Sequence, residues 1–188
     1  MSDKKKFPFN DAYAVARDIH YRLKEVCEPG FCKAVGSLRR YKPLVSDVEF
    51  LFVPHIRNLP EGLFDTEPVD QANALFSRWL EAGYLQKRPN VNGSFTWGPL
   101  NKLAIHAPSG IPVDLFTTTK ENWYVSLVIR TGSKETNLKL TTGAQAQGAT
   151  LNAYGSGVTW SDGSSTPATS EAHVFEMCQV PYKEPRDR

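Results

Sequence analysis

The sequence predicts an α+β fold: a mixed β-sheet flanked by helices, followed by a small α/β C-terminal subdomain. Three observations predict it. Apolar residues recur at helical spacing in two early segments, Val15, Ile19, Leu23 and Val26, then Ala72, Leu75, Phe76 and Trp79. Residues 47–53 alternate as a strand does, with Val48, Phe50 and Phe52 on one face and Asp47, Glu49 and Leu51 on the other. The pairs Asn92-Gly93 and Ser109-Gly110 punctuate short apolar runs as hairpin turns do.

Taken in order, Asn10 is placed to cap a helix over residues 11–27. Residues 31–35 read as a strand that Gly36-Ser37 breaks, with one helical turn over 38–41 ended by Pro43. The strand at 47–53 follows, then a helix over 69–82 that Gly83 stops. Hairpins are expected from 84–87 with 95–97, and from 103–106 with 112–117. Helices over 121–129 and 134–147, strands at 151–154 and 158–160, and a helix over 171–178 complete the chain. The window 141–170 is rich in Gly, Ser, Thr and Ala, with Asp162 as its single charge. Partial flexibility is expected there, tempered by Leu151, Tyr154 and Trp160.

The bulk properties narrow the function classes. A chain of 188 residues suits one domain with a small appended subdomain, and 40% hydrophobic with 22% charged residues is ordinary globular usage. No apolar run is long enough for a membrane span, so no membrane partner is expected. Met1-Ser2-Asp3 and the lysines after it lack the apolar stretch of a secretion signal, which points to an intracellular protein of cytoplasm or nucleus. Cys27, Cys32 and Cys178 lack the second pair of a zinc site, and His20, His55, His106 and His173 are scattered, so the thiols read as buried and inert. A net charge of +2 is nearly neutral, whereas a tight non-specific grip on duplex DNA usually needs a basic stripe. Any grip on nucleic acid must be local, through Lys4, Lys5 and Lys6 or through Lys33, Arg39, Arg40 and Lys42.

Three features carry chemistry. Gly36-Ser37 stands where a strand gives way to a turn, where backbone amides can receive an anion, and Arg39 and Arg40 follow as phosphate partners. Asp47 and Glu49, two apart on a strand, project from one face, and their repulsion favours a hard cation such as Mg²⁺ or Mn²⁺. Asp114 sits between Val113 and Leu115 in a separate strand and faces away from them. If that strand lies beside the first, three carboxylates converge. Each feature alone is as well explained by a basic turn or a solvated strand face.

Together, Gly36-Ser37-Leu38-Arg39-Arg40, Asp47-Val48-Glu49, Val113-Asp114-Leu115, Thr131-Gly132-Ser133, Asn137, Leu151-Asn152-Ala153-Tyr154 and the closing residues 180–188 resemble the family X, or beta-type, DNA polymerases within the nucleotidyltransferase superfamily. The resemblance runs from about Asp11 to Arg188. It implies a nucleotidyltransferase palm over 1–118 and a C-terminal nucleotide- and template-side subdomain over 119–188. It implies that Asp47, Glu49 and Asp114 are the metal-binding catalytic carboxylates for two Mg²⁺ (or Mn²⁺) ions. It places Gly36, Ser37 and Arg40 at the nucleotide's phosphates, Gly132 beside its sugar and Asn137 near its base. The implied partners are a nucleoside triphosphate and primer-template or gapped DNA, with the protein a monomer.

The sequence departs from the family at Glu49, usually Asp, and at Ser46, usually Gly. It departs again at Ile129-Arg130, in place of an aromatic pair that helps exclude ribonucleotides, and at Thr141, near a basic template contact. Two rival readings share these residues: a template-independent nucleotidyltransferase acting on RNA or another acceptor, and a catalytically silent nucleotide-binding module.

Overall fold

A computed structural model describes residues 5–61 and 65–188, so Lys4 of the N-terminal basic cluster lies outside the described residues. The chain opens with β1 (Phe7–Pro8) and α1 (Phe9–Leu23). Pro8, at φ −56° and ψ 145°, leads directly into α1, which therefore starts ahead of Asn10, the cap expected from sequence. Proline's fixed φ makes it a natural entry residue. The helix tightens into a 3₁₀ turn (Lys24–Val26) rather than continuing to Cys27. Next come β2 (Cys27–Val35), the short helix α2 (Gly36–Arg39), β3 (Leu44–Val45) and β4 (Val48–Pro54). Phe7 pairs with Val45, which pins α1 to the turn that precedes β4.

An antiparallel ribbon of β5 (Ile56–Glu61) and β6 (Asp65–Asp70) leads into α3 (Gln71–Glu81). Asp70 caps α3 by accepting from the Asn73 amide at 2.9 Å. Then follow β7 (Leu85–Lys87), β8 (Asn101–His106) and β9 (Ile111–Thr117). The expected hairpin of 84–87 with 95–97 is corrected here: β7 pairs with β8, and the Asn92-Gly93 turn closes a loop bridged at Pro89 and Phe95. The hairpin of β8 with β9 is as expected.

The main sheet runs β2-β4-β9-β8-β7, with β4 and β9 parallel and the other neighbours antiparallel. One face packs on α1 and α3 through Val48, Phe50, Phe52, Val113 and Leu115 against Ile19, Leu23 and Phe76. Full burial of Phe50 and Phe52 contributes about 2–3 kcal/mol each. On the other face Val35, Leu51, Val53 and Phe116 meet Trp123 and Leu127 of α4 (Trp123–Thr131). The remaining segment holds α5 (Lys134–Ala146), an antiparallel sheet of β10 (Ala149–Leu151), β11 (Gly157–Trp160) and β12 (Ser165–Pro167), and α6 (Glu171–Met177). Its core gathers Val125, Val128, Leu140, Ala144, Leu151, Val158, Val174 and Phe175. Among the described residues no helix is long and apolar enough to cross a membrane. All three cysteines are buried and free.

Candidate active site

The register of the two parallel strands brings the acids together. Glu49 is paired directly with Asp114, and Val48 with Val113. Since Val48 and Val113 face α1 and α3, Glu49 and Asp114 share the opposite face, the side on which Leu51 and Phe116 meet α4. Asp47 stands immediately before β4. The charges feel one another: Glu49 is pushed up to about 8 by burial first and then by Asp47 and Asp114, while Arg130 and Arg40 act in the opposite direction.

Two contacts set how these carboxylates lie. Asp114 is ion-paired with Arg88, whose Nη2 donates to Oδ1 at 2.5 Å, and both side chains are largely buried. Glu49 lies against Gly36. A methyl group on Gly36 would fall 1.5 Å from Glu49 Oε2, and Gly36 has φ +63°, so two separate constraints select glycine there. The donor set is oxygen only, which fits Mg²⁺ or Mn²⁺ and disfavours softer metals. Burial first, and then repulsion from Asp47 and Asp114, disfavours negative charge at Glu49, and a nearby cation would relieve it. Among the described residues, no three His, Cys, Asp or Glu side chains stand close enough to encage a metal as they lie. Arg88 supplies the positive charge at Asp114, so closure of three carboxylates around a cation requires side-chain rotation.

The phosphate-side residues divide. Gly36 and Ser37 form the first turn of α2, directly after β2 and beside Glu49. Arg39 is turned away from that turn. Its Nη1 and Nη2 donate to both oxygens of Glu171 at 3.0 and 2.5 Å, and Nη1 also donates to Thr131 Oγ1 at 2.6 Å. Arg188 approaches the same carboxylate at 2.9 Å. The phosphate pairing expected of Arg39 is thus corrected: its guanidinium is spent on tying α2 to α6. Burial opposes charge on Glu171, but the two arginines outweigh it and hold its carboxyl below the ordinary range. Arg40 donates to the Thr131 carbonyl, and its Nη1 lies 3.0 Å from where a side chain on Gly132 would begin. Gly132, at φ +70°, ends α4, and the Gly132–Ser133 peptide is cis. Ser133 caps α5. Asn137, one turn into α5, donates from Nδ2 to the Ile129 carbonyl at 2.8 Å, and its buried Oδ1 has no hydrogen-bond partner among the described residues.

Gly36, Ser37, Asp47, Glu49 and Asp114 therefore cluster at one end of the main sheet. Arg40 and Gly132 meet at the join with α4, and Asn137 stands on the C-terminal side of it. Sequence reasoning missed two cations here. Arg88 comes from the loop after β7, and nothing in its local pattern marks it. Arg130 stacks over Phe116 at 3.7 Å and donates to the Tyr154 hydroxyl at 3.1 Å and to Asn101 at 3.3 Å. It was visible as a departure from the family pattern, although its contacts were not.

Comparison with known proteins agrees with the motif resemblance. The family model described as DNA polymerase beta thumb matches residues 126–188. The fold is similar to that of Leishmania infantum polymerase beta in a ternary P/T complex, at 20% identity and TM-score 0.72, covering 98% of this chain and 77% of that one. A ternary gap complex of the same organism's polymerase beta gives 20% identity and TM-score 0.73, covering 98% of this chain and 71% of that one. The α+β architecture is thus the nucleotidyltransferase-like fold of beta-type polymerases, and its C-terminal segment matches their thumb.

Proposed function

We propose that this chain is a metal-dependent nucleotidyltransferase of the beta-type polymerase kind. It adds a nucleoside monophosphate from a dNTP to a DNA 3′-hydroxyl, releases pyrophosphate and fills gaps under template direction. The observation that carries the reading is the direct pairing of Glu49 with Asp114 on adjacent parallel strands, with the Gly36-Ser37 turn against Glu49. The matched structures of Leishmania infantum polymerase beta are ternary P/T and gap complexes, which supports DNA as the acceptor.

In this reading Asp47, Glu49 and Asp114 hold two divalent ions, which when bound supply acidity to the 3′-hydroxyl and neutralise the triphosphate. The chain's own groups do the positioning. The amides of the Gly36-Ser37 turn and the Ser37 hydroxyl receive the phosphates, and Arg40, held by the Thr131 carbonyl, adds charge beside them. Gly132 leaves room for the sugar, and the unpartnered Oδ1 of Asn137 is a ready acceptor for the base or sugar edge. The 3′-oxygen attacks the α-phosphorus, the bond to the β-phosphate breaks, and Asp114 is the acid placed to take the hydroxyl proton.

Incorporation of each single dNTP and rNTP on gapped, primed and single-stranded DNA tests this reading. Template-matched dNTP incorporation that is fastest on gaps is expected; transfer indifferent to the template refutes it. One observation favours that second outcome. The Thr141 hydroxyl, near the expected template contact, donates back into its own helix, to the carbonyls of Asn137 and Leu138, both at 3.0 Å.

A further inference from the structure

A groove separate from the carboxylates lies between α1, the residues after α2 and the C-terminal 3₁₀ turn (Pro185–Asp187), with a volume of about 410 Å³. Three rings line it in series. Phe9 stacks on Tyr13 at 5.7 Å and 13°, and on Tyr41 at 5.9 Å and 21°. Tyr13 and Tyr41 are 52% and 67% exposed, although each is large enough to be core. Tyr41, at φ +55°, is the left-handed residue that closes α2: its amide donates to the Leu38 carbonyl at 3.0 Å, and the Lys42 amide donates to the Ser37 carbonyl at 3.1 Å. The Tyr41 ring contacts Phe9 and the Arg186 guanidinium and is otherwise mostly in solvent. Around the rings stand Arg17 and Arg186, the latter 5.7 Å over the Tyr41 ring, with Glu184 as the acid of the lining. Arg39 also reaches the groove, but Glu171 engages it.

Exposed, stacked tyrosine rings beside arginines are what an unpaired nucleobase and its phosphate require; an apolar peptide would leave the arginines unanswered. The geometry points to this groove as a second nucleic-acid site, one that takes a single-stranded DNA segment, with a base against Tyr41 and Tyr13 and the backbone along Arg17 and Arg186. The inference rests on DNA being the substrate class, as proposed above. α1 packs on the sheet face opposite Glu49 and Asp114, so the groove adds a hold on unpaired strand outside the carboxylate site.

The test is equilibrium binding of a fluorescent oligothymidylate and of a blunt duplex to the full chain, together with gap-filling turnover. Glycine tolerates φ +55°, so Tyr41→Gly keeps or raises the thermal midpoint while weakening oligothymidylate binding about tenfold, the size of one lost base stack. The double variant Arg17→Ala/Arg186→Ala makes the same binding less salt-dependent. Duplex binding and turnover on a gap without overhang stay unchanged in all of them. Unchanged oligothymidylate affinity in both Tyr41→Gly and the double variant overturns the inference, as does no binding by the unmodified chain. Absence of turnover on every DNA, with oligothymidylate binding still sensitive to Tyr41, instead defeats the catalytic reading and leaves the groove standing.

Discussion

Replacement of Glu49 by Gln should stabilise the metal-free protein at alkaline pH. Glu49 is lifted from 4.5 to about 8, by burial and then by Asp47 and Asp114. Between those values the folded protein holds a proton that the unfolded chain releases, so stability falls as pH rises through the window. Below 4.5 both states are protonated and the penalty is absent; above 8 it is complete. The rise from 4.5 to about 8 corresponds to at most about 5 kcal/mol. Partial exposure screens the charge, so an effect of about 2–3 kcal/mol is expected. Urea unfolding in EDTA at pH 5 and pH 9 measures it. The unmodified chain should lose stability between the two, whereas Glu49→Gln should lose less and exceed it at pH 9. Mg²⁺ at pH 9 should restore stability to the unmodified chain more than to the variant, because a bound ion offsets the repulsion. A Glu49→Gln protein less stable than the unmodified one at pH 9 refutes the crowded-carboxylate reasoning.

Two further outcomes follow from single contacts. Gly36→Ala should cost about 1–2 kcal/mol, since alanine is strained at φ +63°, and should reduce turnover beyond that loss because Glu49 must swing away from the new methyl group. Adding Glu49→Asp, which removes the oxygen 1.5 Å from the new methyl group, should recover part of the stability; urea midpoints with none recovered would contradict the clash. Glu171→Ala leaves Arg39 and Arg188 without their shared carboxylate and should destabilise by about 3 kcal/mol. As Glu171 is held below its ordinary range, its contribution is present above about pH 4.5 and fades as pH falls through its folded value. Variant and unmodified chain should therefore converge in acid, and a gap that widens there argues against the ion-pair account.

What the sequence disclosed follows from where the physics is local. The alternation of Val48, Phe50 and Phe52 against Glu49 and Leu51 placed β4 and its acidic face, because one side of that strand must be apolar. Asp114 could be placed on its strand, but the parallel pairing with Glu49 depends on the whole topology and was only a condition. The ribbon of β5 and β6 had no signal. Residues 56–60 and 65–68 are exposed on both faces, so nothing forces alternation, and Pro60 and Pro68 are tolerated in a two-stranded ribbon. The wrong partner for β7 came from reading Asn92-Gly93 as a two-residue hairpin loop. The turn is real, but β8 offers the ladder that buries Leu85 and Ala104. Arg39 looked like Arg40 in the sequence; only the arrival of Glu171 from 132 residues away separates their roles.

In the proposed function, Asp47, Glu49 and Asp114 act as one cation-binding set that drives nucleotidyl transfer. Single-turnover incorporation on gapped DNA with Mg²⁺, comparing the unmodified chain with Asp47→Asn and Asp114→Asn proteins of intact circular dichroism, tests it most directly. A loss of about a hundredfold or more in each variant is predicted. Incorporation by either variant at the unmodified rate would show that the three acids do not drive the reaction.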